Sequence, residues 1–124
     1  MFILYVSDQG RARNFYASVF VTDPTLDEPG MTMFTLPDGA VLGLMPEDGI
    51  ARIFQDAVPH PAQGAGIPRC EIYVEVDAPE TFLARAVQHG ATPISSVAPR
   101  PWGEEAGYCA DPDGHVLAFA RTTP

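Results

Sequence analysis

The apolar and polar positions of this chain predict the same series of elements twice. An apolar run over 2–6 suits a buried strand, and Ser7 or Asp8 can cap a helix over 9–20. That helix carries apolar residues at helical spacing: Ala12, Phe15, Tyr16 and Val19. Prolines limit any strand over 21–29 to a short edge strand, and strands over 31–36 and 41–45 follow. The first half is therefore predicted as β-α-β-β-β.

A turn motif stands at the same point of each half. Pro37-Asp38-Gly39 and Pro112-Asp113-Gly114 lie 75 positions apart (112 minus 37), and each leads into an apolar run. Asp-Gly suits a tight hairpin turn, because glycine readily takes a positive φ. A second echo aligns the strand beginning at Ile3 with the strand beginning at Ile72. A unit of this length that occurs twice indicates two equivalent modules and not a solenoid.

The second half repeats the order of the first. Strands are predicted over 70–76, 92–97, 105–110 and 116–121, and a helix starts near Pro79 and ends at Gly90. The segment over 46–68 is rich in proline and glycine, with one helical turn over 50–55, and is predicted as a packed crossover or a flap over a cavity. We expect one domain over 1–124, with module one at about 1–46, the crossover at about 47–68 and module two at about 69–124.

Length and charge limit the possible functions. The 124 residues suffice for one domain with a real core, and the formal net charge of −9 disfavours nucleic acid and anionic membranes as partners. A neutral or cationic small molecule fits that charge better. Neither a membrane-spanning run nor a leader-like segment is present in the sequence, so we expect a cytoplasmic protein. Cys70 and Cys109 are too few for a disulfide scaffold and are expected to be reduced.

Paired modules of this kind resemble the vicinal-oxygen-chelate superfamily, which includes glyoxalase I, extradiol dioxygenases and the fosfomycin and bleomycin resistance proteins. The resemblance is carried by the segments 5–8 and 14–16, by Glu75-Val76-Asp77 and by 111–115. It implies an α+β fold in which each module curls a mixed sheet and two modules, from one chain or two, enclose a ligand cavity. We expect a homodimer. Val21 departs from the glycine that often ends the first helix in this family.

The same resemblance implies four metal-ligand positions, which fall here on Met1, Gly43, Glu71 and Ala118. Only Glu71 can ligate a metal, whereas a catalytic site normally has about three protein ligands. We therefore expect no metal and no other cofactor. His60, His89 and His115 are predicted to be separate, with His115 in a solvated turn and His89 at a helix end.

Strand alternation predicts what lines the cavity instead. Glu71 and Tyr73 share one face of their strand, and Gly43 and Ala118 are expected to leave room for a ligand. The predicted ligand-binding residues are Tyr5, Gly43, Met45, Glu71, Tyr73, Trp102 and Ala118, and no catalytic residue is predicted. Three alternatives stay open. Tyr5 and Tyr73 could fill a closed core, Glu71 could pair with Arg69 or Arg100 or lie at an exposed rim, and Trp102 could be a surface staple.

Two functions fit these residues. The first is non-catalytic binding and sequestration of a small hydrophobic or aromatic natural product, with a DNA-binding antibiotic as the hypothesised ligand in self-resistance. The alternative is a lyase-type or dioxygenase-type enzyme of the superfamily with an atypical site, in which Glu71 acts as a general base. The missing metal ligands favour the first function.

Overall fold

The computed structural model describes residues 1–123, and the predicted α+β architecture of two β-α-β-β-β modules is confirmed. Module one consists of β1 (Phe2–Val6), α1 (Gln9–Phe20), β2 (Leu26–Glu28), β3 (Met31–Thr35) and β4 (Val41–Pro46). The crossover contains α2 (Glu47–Phe54) and a 3-10 turn (Pro61–Gly64). Module two consists of β5 (Glu71–Glu75), α3 (Pro79–Gln88), β6 (Thr92–Pro99), β7 (Glu104–Ala110) and β8 (Val116–Thr122). None of the helices in residues 1–123 combines the length and apolar character that a bilayer crossing requires.

Each module folds into one four-stranded mixed sheet. The strand orders are β1-β4-β3-β2 and β5-β8-β7-β6, and in each sheet the opening strand runs parallel to the closing strand. Ile3 lies opposite Gly43, and Tyr73 lies opposite Ala118. Tyr73, and not Ile72, is therefore the structural equivalent of Ile3. The sequence echo that aligned Ile3 with Ile72 was wrong by one residue, and one residue in a strand exchanges the two faces.

The two Pro-Asp-Gly hairpins have the same hydrogen bonds. In module one the Leu36 N–H donates to the Ala40 carbonyl oxygen at 2.7 Å. In module two the Asp111 N–H donates to the His115 carbonyl oxygen at 2.7 Å. The turn glycines, Gly39 and Gly114, have φ values of 90° and 89°. The repeat predicted from the turn motif is thus present in the backbone.

One hydrophobic core serves both modules. The faces of the two sheets that carry α1 and α3 contribute to it together, and the rings of Phe20, Phe82 and Phe119 meet across the module boundary at centroid distances of 5.8–6.1 Å. The opposite face of each sheet points away from this core. We call these the open face of module one, which carries Ile3, Tyr5, Gly43 and Met45, and the open face of module two, which carries Glu71, Tyr73, Tyr108 and Ala118.

A buried polar contact also joins the modules. The Tyr16 hydroxyl on α1 donates to Asp111 Oδ2 at 2.6 Å, and Asp111 Oδ1 accepts from the backbone N–H groups of Asp113 and His115. Asp111 is 4% exposed. Burial, and then the charge of Asp111, raise the pKa of Tyr16 well above its ordinary value, so the hydroxyl keeps the proton that it donates.

The first helix, α1, begins at a predicted cap residue and ends at a residue in an unfavourable backbone conformation. Asp8 caps the helix by accepting from the Arg11 N–H at 2.9 Å, as predicted. Val21 ends it in the left-handed conformation with φ 50°. A β-branched residue is unfavourable there, which explains why glycine is the common residue at such a position.

The crossover packs against module one. Its helix α2 is longer than the single turn predicted, because Glu47 and Asp48 at its start and Arg52 near its end suit the helix dipole. Phe54 meets the Tyr5 ring edge-on at a centroid distance of 5.9 Å, so α2 covers part of the open face of module one. Later in the crossover, Gly66 lies against Gly114 of the second turn. On the open face of module two, Tyr73 and Tyr108 are partly exposed and Glu71 is exposed.

Candidate ligand-binding face of module two

The open face of module two brings aromatic side chains together around a small residue. Tyr73 on β5 and Tyr108 on β7 lie on either side of Ala118 on β8. Both tyrosines are partly exposed, and Trp102 in the turn between β6 and β7 is 55% exposed. Three aromatic side chains thus share one uncovered surface.

A chain of hydrogen bonds links this surface to a carboxylate. The Trp102 indole Nε1–H donates to Tyr73 Oη at 3.0 Å, and the Tyr73 hydroxyl donates to Glu104 Oε1 at 2.8 Å. Desolvation raises the pKa of Tyr73, the bond to Glu104 acts in the same direction, and the Trp102 donor acts against it. Tyr73 therefore stays protonated and holds Trp102 and Glu104 in fixed positions.

Glu104 was missed by the sequence prediction. It opens β7 at the same strand parity as Tyr108, which places both on the open face. Its Oε2 atom is shielded from solvent and has no hydrogen-bond partner among the described residues. The alternation of side chains along β7 could have identified Glu104. The predicted strand began at 105, however, so Glu104 lay outside it.

Arg100 is fixed beside this cluster. Its guanidinium donates to the Ala106 carbonyl oxygen through Nε and Nη2, and to the Ser95 hydroxyl at 2.9 Å. It also lies 5.1 Å from the centre of the Tyr108 ring. The pairing of Glu71 with Arg69 or Arg100, one of the open alternatives, is not found in residues 1–123, where Glu71 lies exposed at the rim.

The seven predicted ligand-binding residues fall into two groups. Glu71, Tyr73, Trp102 and Ala118 belong to the open face of module two, whereas Tyr5, Gly43 and Met45 belong to that of module one. The expected space at Gly43 is occupied, because a Cβ there would come within 3.0 Å of Ile3 Cγ1 and 3.4 Å of two methionine sulfur atoms. Ala118 is fully buried. Neither small residue opens a cavity within a single chain.

Two surface grooves lie away from these residues. One runs between α3 and β6, with Val87 and Ile94 exposed along it, and another follows the crossover near His60. Tyr73, Tyr108 and Trp102 line neither of these grooves.

The donor set at the four family metal positions does not fit a divalent metal. Glu71 supplies one carboxylate, while Met31 and Met1 turn thioether sulfur atoms toward Gly43. Thioethers are soft ligands that suit Cu(I) and not the metals bound by oxygen and imidazole. No group of three His, Cys, Asp or Glu side chains in residues 1–123 is placed to hold a metal ion.

The three histidines lie apart, and one has a different role from the one expected. His115 was predicted as a solvated turn residue, but its Nε2 donates to the Tyr5 carbonyl oxygen at 3.0 Å and ties the second turn to β1. His89 caps the end of α3. His60 Nε2 bonds Asp48 at 2.9 Å within the crossover, and its Nδ1 accepts from the Ala62 N–H.

Comparison with known proteins agrees with this architecture. The sequence profile of the glyoxalase-like domain matches residues 1–120. A glyoxalase-related enzyme from Fulvimarina pelagi superposes with a TM-score of 0.79 at 23% identity, over 97% of this chain and 84% of that one. A glyoxalase/bleomycin resistance protein/dioxygenase family enzyme from Burkholderia phytofirmans superposes with a TM-score of 0.77 at 15% identity, over 98% and 97%. No curated protein matches the sequence. At these identities the structural likeness concerns the fold alone.

Proposed function

The chain belongs to the family of glyoxalase-like domains, within the vicinal-oxygen-chelate superfamily, and we propose that it binds and sequesters a small planar aromatic compound without changing it. The observation that carries the proposal is the linked cluster of Trp102, Tyr73 and Glu104 on an uncovered sheet face. Fixed aromatic surfaces with a few polar groups are typical of small-molecule sites. The superfamily itself contains both enzymes and binding proteins, so the site must decide the function.

The aromatic residues supply most of the affinity in this proposal. A planar ligand that stacks on Tyr73 and Trp102 gains about 1 kcal/mol for each well-stacked ring beyond the area that it buries. Glu71 lies at the rim, where it can accept a hydrogen bond from a polar substituent. DNA-intercalating antibiotics combine flat rings with such substituents, and we propose that a compound of this class is the ligand, held in the cytoplasm.

A second copy of the chain completes the site in this proposal. The open face of module one is apolar and partly exposed, with Met1 63% and Ile3 37% exposed. Burying this surface against module two of another copy would exclude water from both. Tyr5, Gly43 and Met45 would then form the wall opposite Tyr73 and Trp102.

Equilibrium dialysis against a panel of intercalating natural products tests the proposal. We expect one or more to bind saturably and to be recovered with unchanged mass. Tyr73→Leu should weaken binding roughly 5- to 10-fold, which is the loss of about 1 kcal/mol of ring stacking. Ile94→Ser, which changes the groove between α3 and β6, is the matched control and should have no effect.

Two results would reject this function. Binding that depends on Ile94 and not on Tyr73 would place the ligand in the groove between α3 and β6. Conversion of any compound in the panel to a product would favour an enzyme of the superfamily, with Glu71 as the first residue to test as its general base.

A further inference from the structure

One carboxylate oxygen on the open face of module two is shielded from solvent and has no hydrogen-bond donor among the described residues. Glu104 Oε1 accepts from the Tyr73 hydroxyl at 2.8 Å, but Oε2 is shielded from solvent and makes no hydrogen bond among the described residues. A carboxylate offers about four acceptor positions, and leaving a shielded oxygen unpaired is costly. A ligand donor that took the place of the side-chain atoms shielding this oxygen would recover the lost interaction.

The cations near Glu104 are engaged elsewhere. Arg100 directs its Nε and Nη2 to the Ala106 carbonyl oxygen and to Ser95. Arg121 lies on β8 next to Thr122, the residue opposite Glu104, so its side chain is on the other face of the sheet. There it pairs with Glu105 and Glu80 at 2.7 Å each. No ion pair of residues 1–123 includes Glu104.

The surroundings of Glu104 favour positive charge. The faces of Tyr73 and Trp102 are electron-rich and attract cations, and the Tyr108 ring already has a cation, the Arg100 guanidinium, 5.1 Å from its centre. Two further carboxylates, Glu71 and Glu75, lie exposed on the same face of β5. A neutral aromatic ligand would use the rings alone, whereas a cationic one would use the rings and the carboxylate together.

On this basis, and resting on the proposed function, we infer that Glu104 is the residue that selects the ligand. The site takes a planar aromatic compound with a cationic N–H donor, such as a protonated ring amine, which reaches Glu104 Oε2. Glu71 contributes less to this selection, because exposed charges are screened by water and salt.

The test compares two dyes of nearly the same shape. Near neutral pH, 9-aminoacridine is a cation with N–H donors, and acridine is neutral. Calorimetric titrations of the 124-residue chain should show that 9-aminoacridine binds about 10- to 100-fold more tightly, as expected for a charge-assisted hydrogen bond. The preference should persist in high salt, because salt screens exposed charges much more than shielded ones.

Two variants assign the preference to a residue. Glu104→Gln should abolish it by lowering the affinity for 9-aminoacridine about 10- to 100-fold. Glu75→Gln makes the same chemical change on the same sheet face, at an exposed residue, and should leave the preference intact. Glu104→Gln should also fold at least as stably as the wild type, because it removes a carboxylate without an ion-pair partner.

The possible failures are distinguishable. Equal binding of the two dyes to the wild-type protein keeps the proposed function and overturns this inference, and that comparison needs no variant. A preference that survives in Glu104→Gln, or that is lost in Glu75→Gln, also overturns the inference. Binding of neither dye overturns both.

Discussion

At the scale of single residues, a buried hydrogen bond between Tyr16 and Asp111 joins the two modules. Tyr16→Phe keeps the ring and removes the donor, so Asp111 is left with two backbone N–H groups. We expect a loss of about 1.5–3 kcal/mol in the free energy of unfolding, measured by urea denaturation. Tyr108→Phe is the control, because the Tyr108 hydroxyl forms no hydrogen bond in residues 1–123, and it should change stability little. Equal losses in the two variants would contradict this role.

The same contact predicts a dependence of stability on alkaline pH. The pKa of Tyr16 is raised by folding, so its contribution is fully present below the ordinary tyrosine pKa of about 10 and is lost as the pH rises beyond it. Burial likewise raises the pKa of Cys109 to about 12, which adds a loss of stability that begins near pH 9. Above pH 10 the Tyr16→Phe profile should therefore be less steep by up to about 1.4 kcal/mol per pH unit. Parallel profiles would contradict the prediction.

Val21 is a residue at which the chain is strained. It is exposed and lies at φ 50°, where a β-branched side chain is unfavourable. Val21→Gly should raise the free energy of unfolding by about 1 kcal/mol, and Val21→Ala should have an intermediate effect. Chemical denaturation of the three proteins makes the comparison. A destabilised glycine variant would show that the Val21 side chain makes a compensating contact.

At this scale the sequence predicted the residues whose role is local and missed those whose role depends on a distant partner. A cap by Ser7 or Asp8 was predicted because such contacts are local, and Asp8 forms it with the N–H group three residues further on. Asp111 binds a hydroxyl 95 residues away, and Glu104 binds one 31 residues away. Nothing in the local pattern of either segment identifies those partners.

At the scale of elements, the two Pro-Asp-Gly hairpins form a natural matched pair. Gly39 and Gly114 have the same φ, so alanine at either position has a similar backbone cost of roughly 1–2 kcal/mol. A Cβ on Gly39 meets nothing within 4 Å, whereas one on Gly114 would lie 2.9 Å from Gly66 Cα. Gly114→Ala should therefore be the more destabilising variant by at least about 1 kcal/mol in urea denaturation. An equal loss of stability in the two variants would contradict this and would show that the crossover near Gly66 moves away from Gly114 at little cost.

The elements themselves were predicted well from sequence, and their register was not. Turn chemistry and apolar periodicity located every strand of both modules. The pairing of Ile3 with Gly43 and of Tyr73 with Ala118 is set by contacts between strands far apart in sequence. The similar sequences around Ile3 and Ile72 predicted an alignment that differs by one residue from the structural alignment of Ile3 with Tyr73.

At the scale of the whole molecule, the two open faces lead us to predict a two-fold homodimer. Multi-angle light scattering should give twice the mass of the 124-residue chain at micromolar concentration. Ile3→Glu places a charge on the open face of module one and should shift the protein toward monomer. Ile94→Glu, at the groove between α3 and β6, should not. A wild-type monomer at micromolar concentration would contradict the predicted dimer.

The candidate site could be predicted from sequence only in outline. Strand parity placed Tyr73 and Ala118 on one face, and Trp102 was a candidate because it follows a stiff proline-rich turn. That Gly43 has no free space beside it within one chain could not be predicted, because Ile3 and Met31, which lie against it, belong to other strands. The hydrogen-bonded chain through Glu104 likewise required the packed sheet.

The emission of the single tryptophan tests the central claim most directly. Trp102 lies in the proposed site, so a bound planar compound should change its fluorescence. Titration with intercalating aromatic compounds should give saturable quenching, and mass spectrometry should recover the compound unchanged. A compound that binds by dialysis without altering Trp102 emission, or that is converted to a product, would contradict sequestration at the open face of module two.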